Sequence, residues 1–135
     1  MKILIDNGHG IETPGKRSPD GVLREYAWNR LIASRIVERL LSLGLDAELL
    51  VPEERDISLP ERCRRVNTWC RRLGKDNVIL ISIHANAAGH GPRCPHRKLL
   101  HGLPPDCAFL LSEEGQQSLV DLHVDGICAY LAFSQ

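Results

Sequence analysis

Three short apolar runs, separated by two stretches of helical period, constrain the fold of this chain more than any other feature. Lys2 to Asp6, Asp46 to Val51 and Val78 to Ile83 have the length of strands, and the third is apolar nearly throughout. Between the first two, Trp28, Ile32, Ile36 and Leu40 recur every four residues, with Ala33, Val37 and Leu41 in a parallel row. That spacing gives a helix from Glu25 to Leu43 with one buried face, and Gly44 suits its C′ position. Ser58 and Glu61 fit a capping box opening a second helix, with Cys63, Val66, Cys70 and Leu73 on its core stripe. The order β-α-β-α-β implies an α/β fold, a mostly parallel twisted sheet with helices on both faces and right-handed crossovers. Apolar throughout, the third run is expected to be a central strand covered on both sides. Val120, Val124, Ile127, Cys128 and Leu131 suit a final amphipathic helix from about Ser112 to Ala132.

At 135 residues the chain makes one domain with one core. Seventeen basic residues balance seventeen acidic ones and the pI is near 7.0, so no global field favours nucleic acid or an anionic membrane. Arg62, Arg64, Arg65, Arg71, Arg72 and Lys75 cluster, and read most simply as the solvated face of the second helix. Five cysteines without a C-x-x-C pair argue against a disulfide framework. Asp6 interrupts the first apolar run too early for a secretion signal, and no run has membrane-spanning length. Export would need another route, such as lysis or a signal outside this reading frame. There is no internal repeat.

Three motifs carry chemistry: Ile3-Leu-Ile-Asp-Asn-Gly-His-Gly10, Leu23-Arg-Glu-Tyr-Ala-Trp-Asn29 and Val78-Ile-Leu-Ile-Ser-Ile-His-Ala-Asn-Ala87. His9 and His84 each follow a strand of a parallel sheet, and such sheets place their ligand sites at the strands' carboxyl ends. Glu25 opens a helix. Two imidazoles and one carboxylate make a catalytic-type zinc shell with a fourth position for water. Each residue alone has a plainer reading. His9 is a solvated loop residue unless Gly8 and Gly10 serve close backbone approach. Glu25 is a favourable first-turn charge, His84 a hydrogen-bonded core histidine, and Asn86 either a turn former or a group that orients ligand or substrate. Gly8-His-Gly10 as a phosphate-binding turn of a small nucleotide-binding domain is the weaker alternative, for it lacks G-x-G-x-x-G.

Together these motifs resemble the zinc-dependent N-acetylmuramoyl-L-alanine amidases of the amidase-3 type, over roughly residues 1–89 and again from about Ala108. The resemblance implies an α/β fold around one Zn2+ held by His9, Glu25 and His84. It implies a peptidoglycan or muropeptide substrate, cleaved at the amide joining the lactyl group of muramic acid to L-alanine. A monomer acting at the bacterial cell wall or periplasm is expected. Members carry a general-base glutamate on a late strand, in a segment similar to Ala-Val-Leu-Thr-Glu-Asn-Phe-Phe, and that segment is absent here. The catalytic base is therefore unassigned, and a non-catalytic zinc- or muropeptide-binding remnant stands as the alternative. Glu113 and Glu114 more simply open the last helix than replace it.

In place of the missing segment, Gly91 to Gly102 has neither helical nor strand period. With one choice of codons, CGC TGT CCT CAC CGA AAA CTT CTT CAC GGA, Arg93 to Gly102 read one base later gives Ala-Val-Leu-Thr-Glu-Asn-Phe-Phe-Thr. The expectation is an internal deletion and frame disturbance around residues 90–107, truncating the chain relative to the family. Different codons at Arg97 to Leu100 would refute it. On that reading Cys94, His96, His101 and Cys107 are an accidental cluster rather than a zinc site.

Overall fold

The structure, a computed structural model, describes residues 1–86 and 104–133. The Gly91–Gly102 stretch, with Cys94, His96 and His101, lies outside the described residues. Strands β1 (Lys2–Asn7), β2 (Asp46–Leu49) and β3 (Val78–Ile83) form a parallel sheet in the order β2-β1-β3. Helices are α1 (Glu25–Ser42), α2 (Leu59–Leu73), α3 (Pro104–Leu111) and α4 (Glu113–Phe133). The class is α/β with helices on both faces of the sheet, as the sequence implies.

Alternation along β1 sorts the two faces. Ile3 and Ile5 point to a core shared with Trp28, Ile32, Ile36 and Leu40 of α1 and Val120, Val124 and Ile127 of α4. Each fully buried aliphatic there is worth about 1.5–3 kcal/mol. The indole N–H of Trp28 donates to the Leu110 carbonyl at 2.8 Å, tying α1 to α3. Lys2, Leu4 and Asp6 point the other way, to α2. Leu4 packs with Leu50, Val51 and Ile57, against Val66 and Trp69. Lys2 lies 4.4 Å from the Trp69 ring and pairs with Asp46 and Glu48, while Asp6 pairs with Arg62.

At the end of α1, Gly44 takes φ 77°, Leu45 N–H donates to Leu40 O and Gly44 N–H to Leu41 O. That is a Schellman motif, and it turns the chain straight into β2.

Several expectations need correction. The stripe of α2 that meets the sheet is Arg62, Val66 and Trp69, so Cys63 is exposed and Cys70 only half-buried. The basic cluster is not wholly solvated, for Arg62 is buried; a charged residue enters the core here because Asp6 is placed to neutralise it. Ser58 makes no side-chain cap, and the Glu61 carboxylate is taken by Arg64 and Arg65. Among the described residues β1 is the central strand and β3 an edge, and Leu80, beside Leu4 on the α2 face, is 47% exposed. Helix α3 has no counterpart in the sequence reading; α4 matches the expected final helix within a residue at each end.

Candidate metal centre

The site sits at the carboxyl edge of the sheet, where β1 and β3 run side by side with Asn7 opposite Ile83. Gly8 N–H donates to the Ile83 carbonyl at 3.1 Å. His9 and His84 thus leave adjacent strands at the same level. Glu25, the first residue of α1, is buried and projects between them.

Glu25 Oε1 lies 3.3 Å from His9 Nε2 and 3.3 Å from His84 Nδ1. The two rings stand nearly perpendicular, 87° apart, with centroids 4.9 Å from each other. All three ligand atoms fall within 4.8 Å of one another. Zinc bonds of about 2.0–2.2 Å at tetrahedral angles place ligand atoms roughly 3.3–3.6 Å apart, so the two 3.3 Å spacings suit a shared ion. A carboxylate this deep also needs a positive charge beside it. Burial pushes the His9 imidazole below its ordinary pKa, and His84 adds to that effect while Glu25 opposes it. A neutral imidazole has the free lone pair that a metal requires.

The local chain is shaped for this convergence. His9 has φ 65°, in the left-handed region that histidine enters more readily than most residues. A Cβ on Gly8 would fall within the His84 ring, and one on Gly10 would collide with the Arg55–Asp56 backbone. Both glycines therefore serve close approach, but to the protein's own groups rather than to a phosphate. No helix follows the turn before Glu25, and G-x-G-x-x-G is absent. The nucleotide-binding reading falls on that geometry.

Asn86 lies two residues beyond His84 and is exposed. Glu113 and Glu114 open α4, and Glu113 pairs with Arg35 at 2.8 Å. Arg35 is ten residues from Glu25, about 15 Å along the helix axis, so Glu113 is held away from the site. Cys107 is a buried residue of α3. An open cleft of about 580 Å³ runs from His9 and His84 past Asp6 and Arg62 to Asp56 and Leu59.

Sequence reasoning missed the residues that hold this geometry. Arg62 donates to the carbonyls of Ile57 (2.8 Å) and Asn7 (3.0 Å), and Arg30 to the carbonyls of His9 (3.0 Å) and Glu53 (2.6 Å). Asn29 bonds Gly8 and Ala85. One signal was available. Asn29 is polar, yet it stands beside Trp28 on the apolar side of α1, one turn after Glu25.

The family model for N-acetylmuramoyl-L-alanine amidases matches residues 3–96, most of the chain and all three candidate ligands. This chain belongs to that family. The family's enzymes are hydrolases that act on peptidoglycan. The amidase fold recurs in solved structures of low identity. The N-acetylmuramoyl-L-alanine amidase AmiC2 of Nostoc punctiforme is 19% identical with a TM-score of 0.76, over 98% of this chain and 97% of that one. The N-acetylmuramoyl-L-alanine amidase from Clostridium difficile 630 is also 19% identical with a TM-score of 0.76, over 97% and 96%. Ami1 from Mycobacterium smegmatis is 16% identical at 0.76, over 100% and 98%. No curated protein matches the sequence significantly. Among the described residues no helix is long and apolar enough to cross a membrane.

Proposed function

We propose that this amidase-family chain binds one zinc ion through His9, Glu25 and His84 and hydrolyses the N-acetylmuramoyl–L-alanine amide of peptidoglycan at the cell wall, at an impaired rate. The observation that carries the reading is the convergence of those three donors, at 3.3 Å spacings, from three separate segments. One chain supplies every ligand, so a monomer suffices. A zinc ion held by His9, Glu25 and His84 would supply Lewis acidity for amide hydrolysis. The protein's part is to hold the two imidazoles beside the buried Glu25 carboxylate and to leave the cleft side open to substrate. Asn86, exposed just past His84, is suited to orient the muramoyl or peptide amide.

Impairment follows from the proton inventory. Besides Glu25, the carboxylates nearest the cleft in the described residues are Asp6 and Asp56. Asp6 accepts from Arg62 and from the Ser82 hydroxyl at 2.8 Å. Asp56 accepts from the Thr13 hydroxyl at 2.5 Å and lies 3.5 Å from Arg62. Both carboxylates are committed to Arg62, and the family's base segment is absent from the sequence. Loss of a general base lowers rate by about 10²–10⁴-fold. That absence is also what favours the second reading, a zinc- and muropeptide-binding remnant.

The test is release of L-alanine-initiated stem peptides from purified peptidoglycan, with and without zinc. Slow, zinc-dependent release abolished by His84→Ala is expected. Zinc bound one to one with no release would establish the remnant, and absence of zinc binding would overturn the metal reading.

A further inference from the structure

Three consecutive backbone carbonyls lead out of β1, and each is held by a side chain. Asn7 O accepts from Arg62, Gly8 O from Asn29 and His9 O from Arg30. Asn29 differs from the two arginines because its amide is bonded at both ends. Its Nδ2 donates to Gly8 O at 3.0 Å, and its Oδ1 accepts from Ala85 N–H at 3.1 Å. It is wholly buried. Gly8 immediately precedes His9, Ala85 immediately follows His84, and Asn29 lies one helical turn after Glu25 on the same side of α1. A single amide therefore bridges the strand ends that carry the two imidazoles, and is itself carried by the helix that bears the carboxylate.

We infer that Asn29 is a positioning residue that sets the mutual placement of His9, Glu25 and His84, an inference that rests on the zinc reading above. A buried amide needs hydrogen-bond partners wherever it stands, and any loop carbonyl would satisfy that need. What sets this one apart is that both partners adjoin ligands. It also shares the role with Gly8: the glycine admits the His84 ring, and Asn29 holds the Gly8 carbonyl. His9 is held in a left-handed conformation that few side chains adopt, so its backbone needs external restraint to stay there.

The test measures zinc affinity by chelator competition and the visible absorption of the cobalt-substituted full chain. Its variants are Asn29→Ala, the volume-conserving Asn29→Leu, and Ile32→Val in the next turn of α1 as a control. Groups that orient metal ligands typically change affinity about 10–100-fold when removed. Both Asn29 variants are expected to bind zinc weaker by that factor and to shift the cobalt bands. Ile32→Val should lower the melting temperature of the metal-free protein while keeping parental affinity and bands. If Asn29→Ala does not fold, Asn29→Leu decides. Parental affinity and spectrum in Asn29→Leu would overturn the inference, as would an equal affinity loss in Ile32→Val. A parent protein that binds neither metal would overturn the zinc reading first and this inference with it.

Discussion

The two faces of β1 are built from alternate residues of one six-residue strand and are unlike in kind. Toward α1 and α4, Ile3 and Ile5 enter a cluster of buried apolar side chains. Toward α2, Leu4 is flanked by Lys2 and Asp6, each in an ion pair with a residue outside the strand. The apolar face is non-directional: its stabilisation scales with area removed from water. The ionic face is directional, because Arg62 must meet Asp6, the Ile57 carbonyl and the Asn7 carbonyl at once. One face therefore supplies stability and the other fixes where the end of β1, and so His9, is held.

The sharpest way to break this contrast is Arg62→Met. Removing one partner of a buried pair costs about 3–5 kcal/mol. It also releases the Asn7 carbonyl, so zinc affinity should fall together with stability in denaturant melts and chelator titrations. Parental zinc affinity in a folded Arg62→Met protein would show that the ionic face serves stability alone. Next in size is Ile36→Ala on the apolar face. It should cost about 2–5 kcal/mol through lost burial and a cavity, with the metal-free melt falling and zinc affinity unchanged. The smallest effect concerns the pair at the end of β2. Arg65 holds the Glu53 carboxylate down to about 2, against its ordinary 4.5. A depressed folded value means stability that is present above pH 4.5 and lost as pH falls toward 2. Glu53→Gln should therefore be slightly less stable than the parent at neutral pH, and the two denaturation curves should converge through that window. A constant difference down to pH 2 would sink the assignment. Because Glu53 is one-third exposed, water screens most of the gain.

Much of the molecule was legible because its signals are local. The four-residue recurrence of Trp28, Ile32, Ile36 and Leu40 marks α1 and its buried face. Gly44 marks its end by the positive φ that a Schellman turn requires. His9 and His84 stand out because each follows a strand, and strands in a parallel sheet bring their carboxyl ends to one edge. The face of α2 was misread by one residue. Cys63 and Cys70 are apolar and correctly spaced, whereas the true stripe begins with an arginine. Only the presence of Asp6, 56 residues away, makes that arginine's burial tolerable. The exposure of Leu80 was likewise invisible, because an apolar run does not reveal how far a neighbouring helix covers its face.

The sequence by itself determined the three strands, α1, α2, α4 and the three candidate donors, since periodicity and residue chemistry are written in neighbouring positions. Tertiary structure alone decided what holds those donors together. Asn29, Arg30 and Arg62 bind backbone carbonyls, and a backbone carbonyl has the same chemistry at every residue. Which one a side chain reaches is fixed only when β1, β3, α1 and α2 have packed.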